Sequence, residues 1–196
     1  MTTPRILIFA ASTRAGSLNQ KLATLLANRI QASGGATHSI DLKDYDLPIY
    51  SGDIESGSGV PQAAKALHQQ FSDSDGILIV SPEYNASAPP ILVNVVAWLS
   101  RVGGADGIAA AFKRPHFGLA SASPGAYGGY RGLMAVRNLL ALQLGARILP
   151  AMLAVGAGAN AFDDSGDLRE QRLKDISDGL VKELVRAAAS ESGRQP

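Results

Sequence analysis

The chain has 196 residues, 46% hydrophobic and 18% charged, which suits one domain with a buried core and lacks the composition of a disordered or membrane chain. A net charge of +1 argues against nucleic acid or an anionic membrane as the main partner, because such binding wants a concentrated basic face. There is no cysteine, which excludes disulfides, thiolate metal sites and thiol redox chemistry, so any electron transfer must use a bound cofactor.

The first predicted element is a strand, Arg5 to Ala11, nearly continuous in apolar residues as a central parallel strand covered on both faces should be. Arg5 ahead of Ile6 to Ala11 has the outline of a signal peptide. The run is shorter than the roughly 7–15 apolar residues such a signal needs, so the segment reads as a strand of a cytoplasmic protein. Leu18, Leu22, Leu25, Leu26 and Ile30 fall on one side of a helix. Thr37 to Leu42 gives a second, weaker strand, and the polar, Gly-rich stretch from Ser51 to Gly59 reads as a mobile connection. Val60, Ala64, Leu67 and Phe71 mark a helix, and Gly76 to Val80 the third strand. Ile91, Leu92, Val95, Val96 and Leu99 form the next helical stripe, followed by His116 to Ala122 as the fourth strand. Leu133, Val136, Leu140 and Leu144 come next, then Arg147 to Val155 as the fifth strand and a last helix with Leu173, Ile176, Leu180 and Leu184. Residues 1–190 are expected to form one domain, with 191–196 a disordered tail.

Strict alternation of five strands and five helices implies a three-layer α/β sandwich around a five-stranded parallel sheet, and a flavodoxin-like order of 2-1-3-4-5 suits this count. In that order the loops after strands 1 and 3 flank a crevice at the carboxyl edge of the sheet. His38, His68 and His116 are scattered without metal-ligand spacing and read as structural, so no metal site is expected.

Three loops at that edge carry the chemistry. In the first, Ser12, Ser17 and Asn19 are short donors, Gly16 permits a tight approach and Arg14 supplies a forked cation, all at the start of a helix whose unpaired N–H groups favour an anion. Helix capping would explain Ser17 alone. The pattern is neither G-x-x-x-x-G-K-[ST] nor G-x-G-x-x-G, and Gly156-Ala157-Gly158-Ala159-Asn160-Ala161 follows the last strand, where no βαβ unit can be completed. In the second loop Pro82 pins the strand end, Tyr84 offers a flat face and Asn85 a donor and acceptor. Glu83 invites an acid or base role, although a solvated or salt-bridged carboxylate is the commoner case. Ser121, Ser123 and Gly125 open the third loop, where Gly128 and Gly129 also allow close approach to a ligand.

Ser-x-Arg-x-x-Ser-x-Asn after strand 1, Pro-Glu-Tyr-Asn after strand 3 with Val-Asn-Val-Val-Ala-Trp-Leu-Ser-Arg downstream, and Ser-Ala-Ser-Pro-Gly-x-x-Gly-Gly after strand 4 together resemble the NAD(P)H-dependent FMN reductase family, which includes quinone, azo-dye and chromate reductases. The likeness runs from about Arg5 to Pro150 and includes Asp44-Tyr45-Asp46-Leu47-Pro48; it departs at Ala86-Ser87-Ala88-Pro89-Pro90, beside the expected ring pocket. The resemblance implies that Ser12, Arg14, Ser17 and Asn19 hold the FMN phosphate. It implies that Pro82, Glu83, Tyr84 and Asn85 line the ribityl chain and ring, and that Ser121, Ser123 and Gly125 border the ring from the other side.

On that reading the flavin does the chemistry and no side chain is an obligatory acid or base. NADH or NADPH would give hydride and a quinone-like, azo or other small acceptor, or free flavin, would take it up, in a ping-pong scheme. A flavodoxin-type electron carrier would share the fold, though carriers are typically strongly acidic, and a module that binds a phosphorylated metabolite would share the first loop. Because a shallow crevice leaves the ring exposed, a homodimer or homotetramer is expected, with Trp98, Arg101 and Tyr84 as the candidate interface.

Overall fold

The runs Ile6 to Ala10 and Gly76 to Val80 carry no polar side chain, and strands of that kind are stable only when covered on both faces. In the computed structural model, which describes residues 2–103, 107 and 109–192, they lie side by side at the centre of a parallel sheet. The strands are β1 (Arg5–Ala10), β2 (Ala36–Ser39), β3 (Gly76–Val80), β4 (His116–Ala122) and β5 (Arg147–Val155), in the order β2-β1-β3-β4-β5. Every pairing is parallel, with Ile8 opposite Leu78 and Leu78 opposite Gly118. The expected order is the observed one.

Side chains alternate across the sheet and divide the core in two. Leu7, Phe9, Ile77, Ile79 and Leu119 pack against α3 (Gln62–Ser72), α4 (Pro90–Leu99) and α6 (Tyr130–Leu144) through Leu67, Phe71, Leu92, Leu133 and Leu140. Ile6, Ile8, Leu78, Val80 and Leu153 pack on the other face against α1 (Leu18–Ala32) and α7 (Gln171–Ser192) through Leu22, Leu26, Ile30, Leu180 and Leu184. With both faces covered, ligand access is left to the carboxyl edge.

The departures from expectation are local. β2 ends at Ser39 because the Asp41 side chain accepts the Lys43 N–H and caps a 3-10 turn, Leu42–Asp44, that takes the chain out of the sheet. The stretch read as mobile contains a helix, α2 (Gly52–Ser58), capped by Ser51 with Asp53 and Glu55 in its first turn. Its Glu55 accepts from the Tyr50 hydroxyl at 2.8 Å and pairs with Arg101 at 3.7 Å. A one-turn helix, α5 (Ala110–Lys113), precedes β4. The start of the expected tail is a correction: α7 continues to Ser192, and Glu191 is buried and pairs with Arg147 at 2.7 Å. Residues 193–196 lie outside the described residues. Among the described residues no helix is long and apolar enough to cross a membrane.

Candidate functional site

The first loop leaves β1 at Ala11, whose N–H still bonds Val80 O at 2.9 Å. Gly16, at φ +67°, turns the chain so that Ser17 can cap α1, its Oγ accepting the Asn19 N–H at 3.2 Å. No acidic residue occupies the first turn of α1, so nothing in that turn offsets the positive end of the helix. Ser12 is buried beside it, its Oγ accepting the Arg14 N–H at 3.4 Å, while the Arg14 side chain is exposed at the mouth.

Asn19 joins the first loop to the third. Its Nδ2 donates to Ala122 O and its Oδ1 accepts the Ala122 N–H, both at 2.9 Å. The amide thus takes the place of a sheet neighbour for the last residue of β4. Ser123 then leaves β4 at the cleft wall, with its N–H on Val155 O at 3.0 Å.

The second loop turns at its tip. Tyr84 and Ser87 exchange backbone hydrogen bonds of 3.1 and 2.9 Å across Asn85 and Ala86, which have φ +51° and +60°. This is the mirror-image two-residue turn of hairpins, and Ala86 sits where glycine or asparagine is usual. Tyr84 lies half exposed at the cleft, Pro82 is buried beneath it, and Pro89 and Pro90 begin α4.

Glu83 is a clamp. Its Oε1 accepts from Arg131 Nε at 3.0 Å and Nη2 at 2.6 Å, and its Oε2 accepts the Gly132 N–H at 3.0 Å, so the second loop is tied to the start of α6. The Arg131 guanidinium beside it holds the carboxyl below the ordinary glutamate range, with the Gly132 N–H adding to the effect. A charged, doubly engaged carboxylate does not suit proton transfer at neutral pH. Gly132 is required here, since a Cβ would lie 2.9 Å from Glu83 Cα and Cβ.

A depressed carboxyl pKa contributes stability that is present above the unfolded value of about 4.3 and is lost as pH falls through the lower folded value. Glu83→Gln is therefore expected to be less stable than the parent at pH 7, with the gap closing below about pH 4. Urea midpoints measured from pH 7 to pH 3 check this, and a gap that holds constant to pH 3 contradicts it.

Ser12, Arg14, Ser17, Asn19, Pro82, Glu83, Tyr84 and Ser123 meet in one cleft, joined by Leu18, Ala122 and Pro124, which sequence reasoning did not single out. Three expected residues stand elsewhere. Ser121 is fully buried within β4, where its Oγ fills the space a Gly129 Cβ would need, so it does not border the cleft. Asn85 occupies the exposed turn tip, and Gly125 lies behind Ser123, its N–H on Ser123 Oγ at 3.3 Å. Trp98 is also corrected: it is fully buried, its Nε1 donating to Pro48 O at 2.7 Å, and cannot anchor a partner. The Gly156–Ala161 segment backs the third loop, with the Gly158 N–H on Ser123 O at 3.1 Å and the Gly156 backbone against Ala126 O.

The sequence matches the family model for NADPH-dependent FMN reductase over residues 4–160. A quinone reductase of Pseudomonas putida is 32% identical over 167 residues, 85% of each chain. A 2-hydroxy-1,4-benzoquinone reductase of a Burkholderia species is 41% identical over 101 residues, 51% of this chain and 52% of that one. Among solved structures, FerB from Paracoccus denitrificans, a flavoenzyme NAD(P)H:(acceptor) oxidoreductase, superposes with a TM-score of 0.79 over 96% of this chain and 99% of its own, at 24% identity, a likeness of fold. With its flavodoxin-like sheet order and a family match that spans residues 4–160, the chain belongs to the NADPH-dependent FMN reductase family and is an oxidoreductase.

Proposed function

We propose that the cleft between the first and second loops holds FMN, its phosphate against the first turn of α1, and that the protein passes electrons from NAD(P)H to a quinone-like or azo acceptor. The observation that carries this reading is the donor set. Two buried hydroxyls, Ser12 and Ser17, the unopposed helix N-terminus and Arg14 line one cleft, and among the described residues the only carboxylate lining it, Glu83, is paired with Arg131. Such a set fits a doubly charged phosphate monoester.

Bound there, FMN would supply hydride and electron transfer between the nicotinamide and the acceptor. The protein's part is position. Ser12, Ser17 and Arg14 fix the phosphate end; Pro82 and Tyr84 on one side, with Ser123 and Pro124 on the other, set the width of the slot. Among the described residues no histidine lines the cleft and Glu83 stays ionised, so the residues present bind and orient rather than move protons. One slot open on one side suits donor and acceptor in turn, a ping-pong order, in the cytoplasm where NAD(P)H is supplied.

The test is a visible spectrum of the purified protein before and after anaerobic NADPH. Flavin absorbance that bleaches on addition and returns with a quinone supports the reading; a colourless protein that fails to take up added FMN overturns it. The same reading holds that two copies pair over Tyr84, Val93, Tyr130 and Met134, large apolar side chains left 38 to 49% exposed on the second loop, α4 and α6. Sedimentation as a monomer at micromolar concentration contradicts that pairing.

A further inference from the structure

Arg131 stands where local rules do not favour it. It is the second residue of α6, whose positive amino end disfavours a cation; the first turn holds no acidic residue, and the N-cap, Gly129, has no side chain to cap the helix. The missing anion and cap come from the second loop. Glu83 accepts the Gly132 N–H through Oε2 at 3.0 Å and both Nε and Nη2 of Arg131 through Oε1. The same guanidinium lies over the Tyr127 ring, 5.4 Å from its centre.

One side chain thus bridges both walls of the slot. Glu83 sits between Pro82 and Tyr84 on the second loop, and Tyr127 belongs to the third loop, which carries Ser123 and Pro124. Stability alone is a poor reason for the bridge, because Arg131 is 58% exposed and an ion pair so open to solvent adds only modestly. A forked guanidinium is directional, however, and fixes the carboxylate it holds. A residue that breaks a local preference in order to join two loops beside a cleft marks a functional constraint. We propose that Arg131 is a positioning residue which, through Glu83 and Tyr127, sets the separation of the second and third loops and so holds the slot at the width of a flat ring. This rests on the cleft being the FMN site. Arg131 itself does not line the cleft, and the loops it joins are those of the ring rather than of the phosphate. Its loss therefore acts equally on a flavin with or without a phosphate, unlike the loss of Arg14.

The experiment titrates the full-chain apoprotein with FMN and with riboflavin in the parent, Arg131→Leu and Arg131→Lys, each shown to be folded by its urea curve, and records the visible circular dichroism of FMN at saturation. The expected result is a fall of about tenfold for both flavins in Arg131→Leu, as for one charge-assisted contact, with the FMN-to-riboflavin ratio kept. The dichroic band of the bound ring changes shape, and Arg131→Lys, which keeps the charge and loses the fork, lies between. A role in stability alone leaves the saturated spectrum that of the parent. Glu83→Gln gives a similar loss, and adding Arg131→Leu to it costs little more, since the two act as one unit. Should Arg131→Leu not fold, Tyr127→Leu removes only an exposed ring from the guanidinium and is expected to weaken both flavins about threefold. Parent-like affinities and spectrum in the folded variant, a fall for FMN alone, or losses that simply add to those of Glu83→Gln overturn the inference and leave the cleft assignment standing. A parent that binds neither flavin overturns the cleft assignment, and the inference with it.

Discussion

Replacing Trp98 with alanine is expected to destabilise the protein by about 3–5 kcal/mol, the range for a large aromatic removed from a core. The indole is fully buried, its N–H reaches Pro48 O at 2.7 Å, and the Tyr50 ring meets its face edge-on at 5.1 Å. Arg101 lies over Tyr50 at 5.0 Å, and Asn94 donates to Pro48 O at 3.0 Å while accepting the Tyr50 N–H at 2.8 Å. The irregular segment from Leu47 to Tyr50 is thus fastened to α4 by Trp98 and Asn94 together; loss of the indole leaves a cavity, while Pro48 O keeps its bond from Asn94 Nδ2. Denaturant unfolding measures the change, with the melting temperature falling by about 10 °C for a chain of this size. A change below about 1 kcal/mol, accompanied by dissociation of an oligomer, would restore Trp98 as a contact residue and contradict its place in the core.

Gly128→Ala is the second large effect, expected at about 3 kcal/mol. A Cβ at this position would stand 2.7 Å from Ala154 C and Val155 N, both backbone atoms that cannot swing aside, and Gly128 has φ +60°. The left-handed conformation costs an alanine about 1–2 kcal/mol and overpacking about 1–3 kcal/mol more. Gly125→Ala is the control, because its Cβ would meet nothing nearer than Ser123 Oγ at 3.7 Å; it is expected within about 0.5 kcal/mol of the parent. Equal stability of the two variants contradicts the close seating of the third loop on β5. The strain has a functional side, since Ser123 and Pro124 line the cleft from this loop.

The sheet was legible because its signal is repeated: apolar runs at β1, β3 and β4 alternate with helical stripes, and chain connectivity rules leave few orders. Ser12, Arg14 and Ser17 were legible for a related reason, as polar residues at a point where a strand gives way to a helix. Helix α2 was not, because Gly-Asp-Ile-Glu-Ser-Gly-Ser has no apolar stripe; Ser51 with acids in the first turn was its only local mark. Trp98 was misjudged because the stripe Leu92, Val95, Val96 and Leu99 already accounts for the core face of α4, and what covers the indole is a segment without periodicity. The Glu83–Arg131 clamp joins residues 48 apart through two loops. Its signal was a lone carboxylate in one loop and an arginine in the first turn of the helix after another, visible only once both loops are placed at one edge. Ser121 was read with the loop, yet it is the sixth residue of β4 and faces the layer rather than the opening.

The proposed phosphate site is formed by Ser12, Ser17, Arg14 and the amino end of α1. Equilibrium titration of the apoprotein with FMN and with riboflavin, which lacks only the phosphate, tests it most directly, in the parent and in Arg14→Ala. The predicted result is FMN preferred by at least about a hundredfold in the parent, as several charge-assisted contacts would give, and a ratio reduced about tenfold or more in the variant. Equal affinity for the two flavins, or a ratio untouched by Arg14→Ala, would contradict it.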